Sequence, residues 1–372
     1  MSGLSTLFAN LPPDKRAKVL DRLRASSGKK SADGTITDYS KNFEYCFRSE
    51  MPFDFSVRQT EVLDPGPGCV QVRAKASSLN FRDVLIASRQ YPVSPGVPTN
   101  MGSDFSGIVE KVGEGVTTFR PGDEVIALHV GHVEPGGIRN NCHFMKQFNI
   151  FEDCVCRKPA NLSFEAAACI PTVSLTAYIA LVELAGLKRN EKVLIHMATG
   201  GVGLSAVQIA KWLGAEIYAT AGTLEKRQFL LDHGIKQVYD SRSSAFAGAI
   251  RSAGIQMNVV LNSLAGDLMT ESMKLLHPFG RFIHIDKKDV SASFLLPMSL
   301  FVNGISFQFL DISLLVKEPA LMKKSLEKIV GLFESGEIKP IQHKVFPASQ
   351  LKDAITALSR GTHIGKMVIL YD

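Results

Sequence analysis

The chain has 372 residues, of which 45% are hydrophobic and 21% are charged. This length suits two packed domains, and this composition excludes an intrinsically disordered chain. Thirty glycines without a Gly-X-Y period exclude a collagen-like protein. The six cysteines are too scattered for a disulfide-stabilised small domain, so we expect a reducing, cytoplasmic location.

The net charge of +6 is concentrated in the first 37 residues, which carry seven Lys or Arg against three Asp. The rest of the chain is therefore nearly neutral, and we expect no nucleic-acid partner. Pro12-Pro13-Asp14 predicts a helix start, and a Ser/Gly/Lys-rich linker follows. Residues 1–37 are interpreted as an extension, either a solvated tail or a docking helix. No basic, apolar secretory signal begins the sequence.

The remaining chain changes pattern twice. Residues 38–165 show short alternating strands and frequent turns, which predict a small β-rich domain. Residues 166–305 begin with the almost uncharged segment 166–187. Pro171 and Glu183 favour a buried helix at the domain junction over a membrane span.

The rest of residues 166–305 alternates strands with helices and predicts a doubly wound parallel sheet. The expected strands are 192–196, 216–220, 259–261 and 280–285, and the expected helices are 203–213 and 224–233. Residues 306–372 contain a helix, 320–334, and then the runs 341–345, 349–360 and 366–371. We interpret those runs as β-rich and returning to the first domain.

A glycine-rich turn lies between the first strand and the first helix of the α/β region. Gly200 and Gly203 occupy the last two glycine positions of G-x-G-x-x-G, and Ala198 replaces the first. Backbone N–H groups at such a turn and at the helix N-terminus hold a pyrophosphate. We therefore predict a dinucleotide site formed by Ala198, Thr199, Gly200, Gly201, Val202 and Gly203.

The end of the next strand indicates which dinucleotide is bound. NAD sites place an acidic residue there for the ribose hydroxyls. Gly222 and Thr223 stand there instead, and Lys226 and Arg227 follow. A missing acid with nearby cations fits a 2′-phosphate, so we predict NADPH. The competing interpretation is that both cations are ordinary exposed helix residues.

No motif in the sequence suits a zinc site. Cys154-x-Cys156 is the only close cysteine pair, and neither C-x-x-C nor H-E-x-x-H occurs. His143 adjoins Cys142, a spacing too short to ligate one metal ion well. We therefore expect chemistry without metal.

Five motifs together resemble the enoyl reductase domain of modular polyketide synthases, in the zinc-free branch of the medium-chain dehydrogenase/reductase superfamily. They are residues 77–85, 102–107, 175–178, 198–203 and 260–266. The resemblance covers about residues 40–372, although 129–158 fit it poorly. It implies an α/β protein with a GroES-like, β-rich substrate domain and a Rossmann domain that binds NADPH.

The resemblance also implies the site residues. Tyr91 matches a tyrosine suggested to protonate the substrate's α carbon, Lys287 matches a catalytic lysine, and Asp311 matches the partner of that lysine. Ile285-Asp286 replace the Met-Gly that usually precedes the lysine. Taken without the family, a tyrosine beside a proline is usually a packing residue, and a Lys–Asp pair is usually a surface ion pair.

Two further sets match cofactor positions in the family. Residues matched around the 2′-phosphate are Lys226, Tyr239 and Arg242, beside Gly222 and Thr223. Residues matched along the nicotinamide half are Asn80, Thr176, Asn262, Ser263, Leu264, Gly365 and Lys366.

The activity implied is NADPH-dependent reduction of a 2-enoyl thioester carried on the phosphopantetheine arm of an acyl carrier protein. The implied partners are that carrier and neighbouring synthase domains, with no nucleic acid and no membrane. A monomer and a homodimer both remain open. The alternatives are a quinone or alkenal reductase, a cyclopropane-forming reductase acting on a γ-halogenated substrate, and a non-enzymatic NADPH-binding protein.

Overall fold

The structure is a computed structural model that describes residues 39, 41–47, 51–91, 101–129, 144–287 and 294–371. The expected extension at residues 1–37 lies outside the described residues. So do Cys142 and His143, which were weighed as metal ligands.

The first domain is an antiparallel β structure. Its strands before residue 160 are β1 (Phe43–Phe47), β2 (Phe55–Gln59), β3 (Cys69–Ser78), β4 (Asp104–Val112), β5 (Glu124–Leu128), β6 (Gln147–Phe151) and β7 (Val155–Arg157). Strand β3 lies between β4 and β6, and β5 joins β4 to β7. Helix α1 (Phe81–Ala87) begins immediately after β3, with Asn80 as its N-cap. The β-rich first domain is therefore confirmed.

The segment expected to be one buried helix forms several consecutive helical pieces. Helix α2 (Phe164–Ala168) ends shortly before α3 (Pro171–Tyr178), and a π-helical turn follows at Ile179–Leu184. Pro171 lies in the first turn of α3, where a missing backbone N–H costs little. No helix among the described residues is long and apolar enough to cross a membrane.

The second sheet is parallel and doubly wound. Its strands are β8 (Lys192–Ile195), β9 (Glu216–Ala221), β10 (Gln237–Asp240), β11 (Met257–Asn262), β12 (Leu276–His284) and β13 (Ser306–Phe309). The order is β10-β9-β8-β11-β12-β13. The helices that follow β8, β9, β10 and β11 are α4 (Gly201–Trp212), α5 (Leu224–Asp232), α6 (Ala245–Ser252) and α7 (Asp267–Met273). This order reverses between β8 and β11, and ligands of such sheets bind at that switch point, beyond the carboxyl ends of the strands.

The chain returns to the first sheet after β13. Helix α8 (Pro319–Glu334), strand β14 (His343–Pro347), helix α9 (Leu351–Ser359) and strand β15 (Lys366–Leu370) follow in order. Strand β15 pairs with β3 and β14, so the predicted return is present. Because β13 pairs with β12, it lies with the parallel sheet, beyond the expected boundary at residue 305.

One expectation for this return is wrong. The run 349–360 was interpreted as part of a β-rich segment, but it contains α9. Leu351, Ala354, Ile355 and Leu358 are buried at helical spacing on one face of α9. The run lies between two strands, but the spacing of its apolar residues is that of a helix.

The two domains share one continuous core. A single buried cluster contains Val72 and Phe105 of the first sheet together with Ile195 and Val259 of the second. Leu175 of α3 belongs to the same cluster, so this helix packs between the sheets. Burial of this apolar surface holds the two sheets in a fixed arrangement.

Candidate active site

The glycine-rich loop lies at the switch point of the parallel sheet, at the start of α4. An added Cβ at Gly203 would lie 2.5 Å from Ala198 Cα, so glycine allows the helix to approach the strand. An added Cβ at Gly201 would lie 2.8 Å from Val173 Cγ1 and 2.9 Å from Lys366 Cδ. At Gly200 the nearest atom would be Met197 O at 3.5 Å. Packing therefore requires glycine at 201 and 203, whereas Gly200 is open to a ligand.

The C-terminal return supplies a second wall to this loop. The N–H of Gly365 donates to Thr199 O at 2.9 Å, and Gly365 forms a β-bridge with Gly200. The N–H of Ala198 donates to Thr220 O at 2.9 Å, which ties the loop to β9 as well. Gly365 has a φ of +76°, and an added Cβ there would lie 1.8 Å from Gln342 O. The loop residues and the Gly365-Lys366 pair are therefore brought together as expected, and Val202 lies beside them in the first turn of α4.

Cations gather beyond the end of β9. Thr223 caps α5 by accepting a hydrogen bond from the N–H of Lys226 at 3.2 Å. Lys226 Nζ donates to Gly361 O at 2.7 Å and so reaches the loop before β15. Burial and the neighbouring Arg242 guanidinium both lower the pKa of Lys226. Arg242 lies over Gly222, where an added Cβ would be 3.1 Å from its Nε.

An acidic residue is also present near these cations, on the neighbouring strand. Asp240 ends β10, and its Oδ2 lies 3.3 Å from the guanidinium of Arg227. Arg227 also donates to Ala221 O at 3.2 Å, so this cation already has protein partners. Tyr239, expected near a 2′-phosphate, donates its hydroxyl to Gln237 on its own strand at 3.1 Å. Lys226, which is half-buried, and Arg242, which lies over Gly222, are the expected cations found at the end of β9.

The loop after β11 lies beside the glycine-rich loop. The side-chain amide of Asn262 has two partners: Nδ2 donates to Leu264 O at 2.7 Å and lies 2.8 Å from His284 Nδ1. The N–H of Leu264 donates back to Asn262 Oδ1 at 3.3 Å, and the Ser263 hydroxyl reaches His196 O at 3.5 Å. The Asn262 side chain thus orders this loop, and the backbone and side chain of Ser263 border the switch point.

A buried polar cluster joins three of the residues expected along the nicotinamide half. Lys366 Nζ donates to Asn80 Oδ1 at 2.6 Å and to Asp104 Oδ2 at 3.1 Å. Thr176 donates to the carbonyl of Thr172 at 2.7 Å, and Thr172 donates to Asp104. Asp104 is fully buried and was not expected in the site, because its burial and its partners depend on the folded chain and are not visible in residues 102–107 alone.

Tyr91, Lys287 and Asp311 form a continuous chain of contacts. Lys287 Nζ donates to the Tyr91 hydroxyl oxygen at 2.7 Å and lies 2.6 Å from Asp311 Oδ2. Tyr91 follows α1, Lys287 follows β12, and Asp311 follows β13, so the three residues meet only in the folded molecule. The side chains of Lys287 and Asp311 are 22% and 21% exposed, so this cluster is accessible from solvent.

Hydrogen bonds and a neighbouring charge favour the ionised form of Asp311. Burial by itself would raise the pKa of Asp311, but the hydrogen bonds from Lys287 and Ser313 lower it below its ordinary value. Ser313 contributes both its N–H, at 3.0 Å, and its hydroxyl, at 2.7 Å. Tyr91 also lies between two cations, with Lys287 Nζ 4.9 Å and Arg82 Cζ 5.1 Å from its ring centroid. An ionised Asp311 therefore orients Lys287 toward Tyr91, and the arrangement can deliver a proton.

Comparison with known proteins places this geometry in a family. Residues 66–162 match the alcohol dehydrogenase GroES-like domain, and residues 233–369 match the zinc-binding dehydrogenase family. The chain is 38% identical over 314 residues to the mycocerosic acid synthase-like polyketide synthase of Mycobacterium tuberculosis, covering 82% of this chain and 14% of that protein.

Solved structures decide the family. The chain is 32% identical to the CurK enoyl reductase, with a TM-score of 0.78, covering 89% of this chain and 99% of that one. The chain belongs to the enoyl reductases of polyketide synthases. It is therefore an oxidoreductase that acts on a carbon–carbon double bond, with the two-domain medium-chain dehydrogenase/reductase fold. The CurF ER cyclopropanase of the curacin A biosynthetic pathway is 30% identical, with a TM-score of 0.79 and the same coverage.

The cofactor class of this enoyl reductase follows from the same relatives. The chain is 26% identical to the quinone oxidoreductase of Escherichia coli complexed with NADPH, with a TM-score of 0.75, covering 88% of this chain and 99% of that one. Together with the dehydrogenase families matched, these relatives imply a nicotinamide cofactor. The open Gly200 and the cations Lys226 and Arg242 fit the phosphates of such a dinucleotide.

One matched family is named for zinc binding. No group of three or more His, Cys, Asp or Glu side chains among the described residues could hold a metal ion. Cys154 and Cys156 are both buried, and burial raises the pKa of each thiol to about 12, which opposes the thiolate form that zinc binds. Metal independence of this enoyl reductase stays a prediction.

The enoyl reductase should lose stability in mild acid because of His196, which precedes the glycine-rich loop. His196 lies between the hydroxyls of Thr220 and Ser272, and burial lowers its pKa from 6.5 to about 3. Between these two pH values the unfolded state binds a proton at His196 and the folded state does not. The full contribution of His196 to the free energy of unfolding is therefore present above pH 6.5, and it decreases as the pH is lowered below that value. The expected loss is about 1.4 kcal/mol per pH unit in this window.

Urea unfolding between pH 4.5 and 6 tests this expectation. His196→Asn should reduce the slope of unfolding free energy against pH by about 1.4 kcal/mol per unit, although its stability at neutral pH is also expected to fall. His277→Asn, at an exposed position, is the control for the substitution itself. Equal slopes in the wild type and His196→Asn would show that this imidazole is not kept neutral by the fold.

Proposed function

We propose that this chain uses NADPH to reduce a 2-enoyl thioester carried on the phosphopantetheine arm of an acyl carrier protein during polyketide synthesis. The chain spans about 14% of the length of the polyketide synthases it matches first. The carrier protein and neighbouring synthase domains are therefore proposed partners. The observation that carries the activity is the Tyr91–Lys287–Asp311 cluster, in which three side chains from separate parts of the chain are in direct contact.

A reduced nicotinamide, when bound, supplies a hydride to the β carbon of the substrate. The protein must then stabilise negative charge on the thioester oxygen and protonate the α carbon. Because the Lys287 ammonium donates to the Tyr91 oxygen, the hydroxyl proton of Tyr91 is not used in this contact. That proton is available for the α carbon, and the adjacent ammonium stabilises the phenolate that its loss leaves. Asp311 holds Lys287 oriented toward Tyr91 throughout.

The preference for NADPH is supported by the surroundings of Lys226. This ammonium is half-buried at the end of β9, where a 2′-phosphate would form charge-assisted hydrogen bonds. Lys226→Ala should therefore raise the Kd for NADPH by ~10–100-fold and leave the Kd for NADH nearly unchanged. Fluorescence titration of both cofactors measures the two constants.

Lys211→Ala is the matched control for this titration. Lys211 Nζ also donates to a backbone carbonyl, that of His233 at 2.6 Å, but it lies in the last turn of α4, away from the end of β9. Its replacement should leave both constants unchanged. Equal wild-type affinity for NADPH and NADH would contradict the proposed cofactor.

The reaction itself is tested by mixing the protein with NADPH and a panel of 2-enoyl-pantetheine thioesters, followed by product mass. We expect NADPH oxidation and a product that has gained two hydrogens. Crotonyl-pantetheine should be reduced much faster than a simple quinone. A protein that reduces the quinone and leaves every enoyl thioester unchanged would contradict the proposal and support the quinone reductase alternative.

The similarity to the CurF ER cyclopropanase favours one second candidate reaction. With a halogen on the γ carbon, the enolate formed by hydride addition attacks that carbon through its α carbon. The new C–C bond closes a three-membered ring, and the halide leaves with the electrons of the carbon–halogen bond. The same assay with a γ-chloro-2-enoyl thioester separates the reactions: reduction retains chlorine, whereas ring closure releases chloride.

A further inference from the structure

We propose that Asp104 is a positioning residue for the cofactor, acting through Lys366 and Asn80. This inference rests on the nicotinamide site of the proposed function and extends it to a buried residue outside the expected set. Asp104 is 0% exposed and Lys366 is 3% exposed, so both charges of this ion pair are away from water.

The carboxylate of Asp104 accepts hydrogen bonds from three separate elements. Its Oδ1 accepts from the N–H of Thr172 at 2.9 Å and from the hydroxyl of Thr172 at 2.5 Å, in the first turn of α3. Its Oδ2 accepts from Ser78 at 3.2 Å, Asn80 at 2.8 Å and Lys366 at 3.1 Å. The start of β4 is therefore tied to the end of β3, to α3 and to the start of β15 by one side chain.

Lys366 carries this arrangement to the glycine-rich loop. Its aliphatic chain packs where a Cβ of Gly201 would lie, at 2.9 Å, and the preceding Gly365 bonds to Thr199. An ammonium has three donors, and among the described residues Asn80 and Asp104 take two of them. The third N–H donor is on the same Lys366 side chain, which packs against the glycine-rich loop where a dinucleotide binds. Asp104 therefore determines where a positive charge is held beside the cofactor.

The neutral analogue Asp104→Asn keeps the shape of the side chain but cannot satisfy both groups of donors. One carboxylate oxygen becomes an NH₂ group, which would face either Thr172 or the Ser78, Asn80 and Lys366 donors. In either orientation the new NH₂ group faces hydrogen-bond donors instead of acceptors, and Lys366 loses its buried counter-charge. We expect the Kd for NADPH to rise on the order of 10–100-fold.

The experiment is titration of NADPH against the wild type, Asp104→Asn and a matched control, Asp123→Asn. Asp123 is also a buried acid of the first domain, paired with Arg157 at 3.2 Å, but it lies between β4 and β5 and has no contact with the loop. A purely structural role for Asp104 would make the two variants alike. We expect weakened binding in Asp104→Asn and unchanged binding in Asp123→Asn.

Repeating the NADPH titration in a Lys366→Met protein separates a positioning role of Asp104 from a general loss of structure. If Asp104 acts by holding Lys366, then Asp104→Asn should weaken NADPH binding less than threefold further in that background. An equal weakening in both backgrounds, wild-type affinity in Asp104→Asn, or equal weakening in Asp123→Asn would each overturn the proposal.

A milder variant keeps the test decisive if Asp104→Asn does not fold. Thr172→Val removes one hydroxyl donor from the same carboxylate, and we expect a three- to tenfold weaker NADPH affinity; an unchanged affinity would overturn the proposal. Because the readout is binding, a failure to reduce enoyl thioesters would contradict the proposed function and leave this inference standing. A wild type that binds neither NADPH nor NADH would contradict both.

Discussion

Replacing Lys287 with methionine should lower kcat for enoyl thioester reduction by ~10²–10³-fold, because one substitution removes two contributions to the same step. Lys287 donates to the Tyr91 hydroxyl oxygen at 2.7 Å, and its charge stabilises the phenolate that follows proton transfer. Methionine keeps much of the side-chain length and the apolar stem. The Kd for NADPH should therefore change little, and stopped-flow titration beside steady-state rates measures both quantities.

Two neighbouring variants distinguish the roles within this cluster. Asp311→Asn should lower kcat in the same direction as Lys287→Met but by a smaller factor, because the lysine stays charged and loses only its orienting partner. Tyr91→Phe should cost ~10–100-fold or less, since water or Lys287 can still supply a proton. With a 2-methyl-2-enoyl thioester, Tyr91→Phe should also erode the ratio of C2 epimers.

Chiral analysis of the reduced acid decides the role of the tyrosine. An unchanged epimer ratio in Tyr91→Phe would remove Tyr91 as the donor to the α carbon. A kcat for Lys287→Met within threefold of the wild type would show that the ammonium does not act in the rate-determining step. An unchanged epimer ratio would not affect the cofactor assignment, because that assignment rests on the loop at Gly200 and not on Tyr91.

Exchanging Gly203 for alanine should destabilise the protein by about 3 kcal/mol, because backbone atoms surround the position of the new methyl group. The added Cβ would lie 2.5 Å from Ala198 Cα and 2.6 Å from Met197 O, so the helix start must move away from the strand. Urea unfolding measures this loss. Cofactor binding should weaken as well, since the same displacement moves the N–H groups of the loop.

Gly200→Ala is the matched control, three positions away in the same loop. Its backbone has φ −76° and ψ 172°, which any residue adopts, and no atom lies nearer than 3.5 Å to the new methyl group. The free energy of unfolding should therefore change by less than ~0.5 kcal/mol. If Gly200 faces a pyrophosphate, NADPH affinity should fall without any loss of stability. Equal stability of Gly203→Ala and Gly200→Ala would contradict this assignment of the two glycines.

Features that depend on short-range pattern can be predicted from the amino-acid sequence alone. The strand, turn and helix around Ala198–Gly203 are where the spacing predicts them, because a parallel strand, a tight turn and a helix start each have local requirements. The alternation of strands and helices likewise predicted the doubly wound sheet. The run 349–360 was expected to be β-rich, but it contains the helix α9, whose buried residues have helical spacing.

Which side chains act together depends on how the chain folds. Tyr91 and Lys287 are 196 residues apart in the chain, and the family resemblance gave their names without the hydrogen bond between them. The pairing of Arg227 with Asp240 and the junction at Asp104 were equally invisible, because each joins different strands or domains. Local spacing places a residue on a strand end or a helix turn. The distance between two such residues depends on how the sheets pack on their shared core, and that packing is a property of the whole chain.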